Sequence, residues 1–192
     1  MTGSLIRREV LPFLLSFVLL ALTALLVDGL LHVFNIVWVG RWLGIPGMLM
    51  ILASGAYSAR KRKWIASGRP SVLLRWHEGL AWAGSLLVLV HAGIHFNAIL
   101  GWLAVWAMLI NVGSGLTGKY LLQRARTRLD ATRVRVTQEG LTAPQIEERM
   151  YWDSLTFDVV KQWRRVHFPI TLAFGVLALA HIVAVCLFWS WA

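Results

Sequence analysis

The chain has 192 residues, of which 58% are hydrophobic, and a formal net charge of +10. A soluble domain is nearer half apolar, so this composition excludes an ordinary soluble enzyme and predicts a membrane protein with one bundle domain over residues 1–192. The positive charge does not indicate a nucleic-acid partner, because the basic residues lie at the ends of apolar segments and in loops, where membrane topology accounts for them.

The uncharged stretches predict an all-α membrane protein, a bundle of about five transmembrane helices, because each crossing needs ~20 apolar residues. Residues 79–118 contain no Asp, Glu, Lys or Arg, which is enough for two crossings joined by a tight turn near residues 97–101. The predicted spans are 8–30, 42–60, 71–96, 100–123 and 167–191.

The polar segment 124–166 is predicted to lie on the cytoplasmic side. Its first part, up to Gly140, has turn-like and β-branched character, whereas Thr142 and Gln145 resemble a capping box that begins a helix. Large apolar side chains then recur at helical spacing, at Trp152, Leu155, Val159 and Trp163. This spacing predicts an amphipathic cytoplasmic helix on the membrane face, which either covers the bundle end or offers a docking surface to an electron-transfer partner.

The distribution of Lys and Arg predicts the orientation of the spans. If five helices alternate across the bilayer, all of the 19 basic residues except Arg41 fall on one side. The positive-inside rule then puts the N-terminus in the cytoplasm and the C-terminus in the periplasm of a bacterial-type inner (cytoplasmic) membrane. Arg7 and Arg8 are interpreted as the flank of an uncleaved first span rather than an export signal.

Four of the six histidines form two pairs with identical spacing. His77 and His91 are 14 residues apart, and so are His167 and His181. Fourteen residues make almost four helical turns, so both members of a pair share one helix face at an axial separation of roughly 21 Å. The third and fifth predicted spans run in the same direction, so His77 faces His167 at the cytoplasmic end and His91 faces His181 at the periplasmic end. Neutral imidazole is a suitable iron ligand, and the pattern predicts two bis-imidazole haem sites stacked across the bilayer.

Two further residues are candidates for binding the cofactor. Gly84 lies seven residues from both His77 and His91, and it is equally a candidate haem contact and a helix-packing position. Arg75 is a candidate partner of the haem propionates at the cytoplasmic end. Positive-inside charge is the alternative explanation for Arg75 and for three other arginines at that end, Arg124, Arg164 and Arg165.

His32 and His95 are predicted at the periplasmic side. An interfacial polar role is favoured for both, and a quinone site or a proton relay is the alternative. His95 is also a weaker candidate than His91 for the haem iron, because its spacing from His77 does not match the spacing between His167 and His181.

Three stretches carry a resemblance to a known family. They are residues 75–95, which begin RWHEGLA and end VHAGIH, residues 114–121, SGLTGKYL, and residues 163–184, which begin WRRVHFP and end AHIVA. Over about residues 40–190 the chain resembles transmembrane cytochrome b proteins of the ferric-reductase-like and respiratory cytochrome b/b6 type. The resemblance implies that two haems b are held non-covalently by the ligands His77, His91, His167 and His181.

The same resemblance implies an electron-transfer subunit, itself without catalytic residues, in an oxidoreductase complex of a respiratory chain. Its expected partners are membrane lipid and other redox subunits (an iron–sulfur protein or a cytochrome c), and a quinone is a further candidate. No nucleotide-binding domain follows the last predicted span, so we expect a conduit between partners. Two alternatives stay open: a pigment-binding or structural membrane subunit without redox haem, and a metal-dependent membrane enzyme that uses His91 and His95.

Overall fold

The computed structural model describes residues 11–94, 98–139 and 141–188, and within these ranges it contains helices and no strand. The helices in chain order are α1 (Leu11–Val33), α2 (Val37–Trp42), α3 (Gly44–Ser54), α4 (Ala56–Lys61), α5 (Pro70–Ile94), α6 (Ile99–Thr117), a π-helical turn (Gly118–Leu122), α7 (Gln123–Gln138) and α8 (Ala143–Phe188). The predicted all-α bundle is confirmed.

Four segments are long and apolar enough to cross a membrane: Leu11–Val33, Val37–Lys61, Ile99–Tyr120 and Val166–Phe188. They correspond to four of the five predicted spans. The remaining one is the third predicted span, residues 71–96, which corresponds to α5. Helix α5 has 25 residues and is long enough for a ~30 Å hydrocarbon core, but its histidines and Glu78 make it more polar than the other four. The chain therefore has the character of a membrane protein, and the orientation of its ends stays a prediction.

The second span is not the single helix predicted over residues 42–60. It begins earlier and divides into α2, α3 and α4, with interruptions at Leu43 and Gly55. At each interruption a backbone N–H bonds to the carbonyl three residues back, from Leu43 to Gly40 and from Gly55 to Leu52. This tighter pattern replaces the regular ladder locally and changes which carbonyls face the neighbouring helix.

The prediction for the segment after the fourth span was partly wrong. Residues 123–138, predicted as turn-like, form helix α7. The β-branched residues are accommodated because Thr137 donates its hydroxyl to Arg133 O (2.8 Å) and Val136 is buried, while α7 packs against α8. The helix start near Thr142 is confirmed, since its N–H donates to Oε1 of Gln145 at 3.0 Å.

Helix α8 joins two elements that were predicted to be separate. The expected amphipathic helix and the fifth span form one continuous helix of 46 residues that runs through Pro169. At 1.5 Å per residue it is roughly 69 Å long, about twice the bilayer core. The amphipathic part is therefore an extension of the span, and the predicted boundary at residue 167 was wrong.

Two extensive helix pairs form the bundle: α3 with α5, and α6 with α8. Helix α1 packs mainly against α5. Where the two pairs meet, Ala104, Met108, Phe174 and Ala178 form a buried apolar cluster. Along the described residues α5 and α8 are not among the closely packed helix pairs, although they carry the four paired histidines.

Candidate functional site: two layers of paired histidines

The structure brings the four paired histidines together in two layers. His91 on α5 and His181 on α8 form one layer, with ring centroids 6.5 Å apart and ring planes inclined by 64°. His77 on α5 and His167 on α8 form the other, where the two imidazoles are close enough to interact electrostatically. We call these the His91 layer and the His77 layer. The structure thus makes the same pairing that the spacing predicted.

The separation in the His91 layer suits an ion between the two rings. Two metal–imidazole bonds of about 2 Å on opposite sides of an ion place the ring centroids roughly 6 Å apart. The described residues include no group of three or more His, Cys, Asp or Glu side chains that could hold a metal ion. A planar macrocycle that supplies four ligands itself needs only two from the protein, so the donor set fits haem better than a bare ion.

The ring orientation of two histidines is set by backbone carbonyls. Nδ1 of His77 lies 3.0 Å from Ser54 O, and Nδ1 of His91 lies 3.3 Å from Gly40 O. A carbonyl oxygen can only accept, so each Nδ1 carries the hydrogen and each Nε2 keeps its lone pair. This is the arrangement in which metal-binding histidines are usually held by a second group.

The two carbonyls belong to the interrupted second span. Gly40 and Ser54 are 14 residues apart, the same spacing as His91 and His77, and the two helical segments run antiparallel. Ser54 directly precedes the interruption at Gly55, and Gly40 O also accepts from the N–H of Leu43, where the other interruption lies. The breaks in this span therefore provide acceptors at the heights of the two layers.

A serine holds the third histidine. Nδ1 of His167 lies 3.1 Å from Oγ of Ser114, which is only 2% exposed. One turn along α8, the Thr171 hydroxyl donates to Oδ1 of Asn111 at 2.8 Å. Sequence reasoning did not identify Ser114 as a partner of a predicted ligand. The signal it missed is a buried hydroxyl on the helix that neighbours a predicted ligand.

Small residues face the imidazole rings from neighbouring helices. A Cβ added at Gly44 would lie 2.9 Å from Cγ and Cδ2 of His91. Added Cβ atoms at Gly101 and Gly115 would lie 3.3 Å from Cε1 of His181 and 3.7 Å from Cε1 of His167. Gly101 and Gly115 are again 14 residues apart, so this interval recurs on α6.

Gly84, the candidate haem contact, packs against another helix. An added Cβ would lie 2.7 Å from Gly47 O and 2.8 Å from Cγ1 of Ile51, both on α3. Contact between the backbones of α3 and α5 therefore accounts for this glycine, which is the packing interpretation of the sequence. A role in contacting haem stays a prediction.

The charged residues near the His77 layer include two that the sequence analysis did not name, and a contact of Arg75 with haem propionates stays a prediction. Arg75 is exposed in a shallow surface groove lined also by Val72, Trp76, Gly79 and Leu80. The guanidinium carbon of Arg62 lies 3.7 Å from the ring centroid of Phe168, next to His167. Lys61 interacts electrostatically with His167 itself. His95 lies outside the described residues. The backbones of Arg124, Arg164 and Arg165 are described, but their side chains are not among the described ones.

An ion pair and an apolar core complete the two-layer arrangement. Glu78, beside His77, accepts from Nζ of Lys119 at 2.7 Å and ties α5 to the π-helical turn. Phe174 lies seven residues from both His167 and His181 and is 3% exposed in the cluster between the layers. The two histidine layers are thus separated by packed apolar side chains.

No protein-family model, curated protein or solved structure matches this chain.

Proposed function

We propose that this chain is a membrane electron-transfer subunit that holds two haems b, one in the His77 layer and one in the His91 layer, and conducts electrons across a bilayer. The observation that carries the proposal is the pair of opposed histidines in each layer, with Nδ1 of three of the four engaged by Ser54, Gly40 or Ser114. The carbonyls of Ser54 and Gly40 can only accept from Nδ1, which keeps Nε2 of His77 and His91 available for iron, and the Ser114 hydroxyl does the same for His167 when it accepts from Nδ1.

The chain's own residues would do three things toward the haems. His77, His91, His167 and His181 would hold the two haem irons, two histidines to each iron, in a role of electron transfer rather than substrate binding. Gly44, Gly101 and Gly115 leave the rings space next to the adjoining helices. The apolar cluster around Phe174 excludes water between the layers. When bound, haem supplies an iron that changes between two oxidation states.

The surroundings support a role within a membrane. Large apolar side chains on α1 and α8, such as Leu25 and Leu179, are more than 60% exposed, as expected of a surface covered by lipid. We further propose a bacterial-type inner membrane, with the His77 layer at the cytoplasmic side. The redox partners would be other subunits of an oxidoreductase complex, an iron–sulfur protein or a cytochrome c, with a quinone as a further partner.

The test is the haem content of the full chain purified in detergent after expression with added haem precursor. Pyridine haemochrome analysis should give haem b at two per chain. The variants H77A and H91A should each retain one haem, and the double variant H77A/H91A should retain none. H32A is the matched control and should retain two, because the His32 side chain is 55% exposed and hydrogen-bonds within α1.

Other results would overturn the proposal in favour of a named alternative. A chlorin spectrum after extraction would indicate a pigment-binding subunit. Non-haem iron or zinc without haem would indicate a metal-dependent enzyme. A folded but colourless preparation would indicate a structural subunit. A haem that survives in H77A/H91A would indicate a different set of ligands.

A further inference from the structure

Asp28 is a carboxylate within the apolar helix α1, and sequence analysis gave it no role. Helix α1 is one of the four segments apolar enough to span a membrane. The Asp28 side chain is 25% exposed, and its Oδ1 is buried with no hydrogen-bond partner among the described residues. An ionisable side chain at membrane depth is costly and is usually functional. A proton is the smallest ligand that would satisfy this oxygen.

The carboxylate lies against helix α5, close to the His91 layer. A Cβ added at Gly93 would lie 3.3 Å from Cγ and 3.4 Å from Oδ1 of Asp28. His91 precedes Gly93 by two residues, so the two positions point to different sides of α5. Asp28 and the His91 ring therefore lie on different flanks of one helix, which is about 10 Å across.

His32 lies between the buried Oδ1 of Asp28 and the surface. Its Nδ1 lies 2.9 Å from the backbone oxygen of Asp28 and 3.7 Å from Oδ1 of the side chain. The carbonyl accepts the Nδ1 hydrogen, which leaves Nε2 to exchange protons, and the His32 side chain is 55% exposed. The pair thus runs from a buried acceptor to the end of the helix.

Few other charged or titratable groups face this position. Helix α1 packs against α2, α5 and α6. Helix α2 carries Arg41, α5 carries His91 on its other flank, and α6 has no Asp, Glu, Lys, Arg or His. His95 follows α5 and lies outside the described residues. Asp28 is therefore the carboxylate placed to respond to charge at the His91 layer.

We propose that Asp28 binds one proton when one electron arrives at the His91 layer, and releases that proton when the electron leaves. The proton comes from the aqueous phase by way of His32 and forms an O–H bond on the carboxylate. Its positive charge balances the negative charge of the electron at the His91 layer. Within a low-dielectric helix bundle, charges separated by one helix diameter interact strongly enough for this coupling. The inference rests on the proposed haem function.

The test is a spectroelectrochemical titration of the full chain at several pH values, with the electrode as the electron source. The H77A variant, which retains only the His91-layer haem, assigns the two potentials. In the wild type the reduction potential of the His91-layer haem should fall by up to about 59 mV for each unit by which the pH rises, the value for one proton per electron. The reduction potential of the His77-layer haem should change little. D28N should abolish this slope, whereas D130N, which removes an exposed carboxylate on α7, should preserve it.

Infrared difference spectroscopy gives a second readout that needs no variant. Reduction of the wild type should produce a carbonyl band of a protonated carboxylic acid, and the band should shift when aspartate carboxylates carry ¹³C. A slope that D28N retains, or the absence of a labelled aspartate band, would overturn the role of Asp28 while leaving the two-haem proposal intact. A folded preparation without haem would instead overturn the proposed function.

Discussion

Oγ of Ser114 on α6 lies 3.1 Å from Nδ1 of His167 on α8, inside the bundle. The serine is buried and His167 is half-buried. The equivalent partners of His77 and His91 are carbonyls of a different span. Each layer is therefore held by helices that carry none of the four paired histidines, and the positioning of these proposed ligands can be tested separately from the histidines themselves.

The substitution Ser114→Ala should weaken haem binding in the His77 layer and leave the His91 layer intact. Loss of a group that orients a metal-binding histidine typically lowers metal affinity 10- to 100-fold, and we expect haem loss to apomyoglobin to accelerate on that order. Ser114→Thr should restore slow loss, because it keeps the hydroxyl. Thr117→Val is the matched control, since the Thr117 hydroxyl donates to Gly113 O within α6. Equal loss from both layers would contradict this role.

Space beside the rings should determine how well glycine substitutions are tolerated. Gly44→Ala should displace His91 and change the electron paramagnetic resonance signal of the oxidised His91-layer haem, because the added Cβ would lie 2.9 Å from ring atoms. Gly101→Ala, at 3.3 Å from His181, should have a smaller effect, and Gly115→Ala, at 3.7 Å from His167, almost none.

Gly113→Ala is the control for this series, because nothing lies within 4 Å of its added Cβ. A spectrum that changes as much in this variant as in Gly44→Ala would show that the series reports helix propensity rather than ring position.

The pairing of the four histidines was predictable, because a 14-residue interval between histidines is visible in the sequence. Their supports were not, since Gly40, Ser54 and Ser114 act through a backbone carbonyl or a buried hydroxyl whose direction depends on tertiary packing. Asp28 was missed because it lies near the end of the first predicted span, residues 8–30, which was interpreted as a plain apolar helix. An Asp followed four residues later by His within such a helix was the available signal.

The fold was predictable where hydrophobicity is continuous and unpredictable where tertiary contact decides. Four of the five predicted spans follow from composition, because they are continuously apolar over the length of a membrane crossing. Helix α7 did not, since burial of Val136 and packing on α8 outweigh its β-branched residues. The continuous α8 contradicted the predicted boundary at residue 167, and Pro169 does not end the helix, because a proline removes one hydrogen bond from a helix that is held along its length by α6 and α7.

Gly84→Ala should destabilise the bundle through the contact of α5 with α3. The added Cβ would meet the carbonyl oxygen of Gly47 and backbone N of Ile51, at 2.7 Å and 3.2 Å, and a backbone moves less readily than a side-chain tip. We expect a loss of about 1–3 kcal/mol, the usual range for overpacking, measured by thermal unfolding in detergent. Gly79→Ala, on the same helix with nothing within 4 Å, should be neutral. Undiminished stability together with a selective change in haem spectrum would instead favour the haem-contact interpretation.

Phe174→Ala should affect both layers together. Its ring is 3% exposed in the cluster that joins α6 and α8 between the layers, and removal of a buried phenylalanine typically costs about 3–5 kcal/mol. Because the cavity lies seven residues from both His167 and His181, we expect the two haems to be lost in equal proportion on unfolding, whereas each ligand variant removes one. Phe174→Leu should retain most of the stability, since it fills much of the same volume. Loss of a single haem from Phe174→Ala would show that this cluster supports one layer rather than the junction of both.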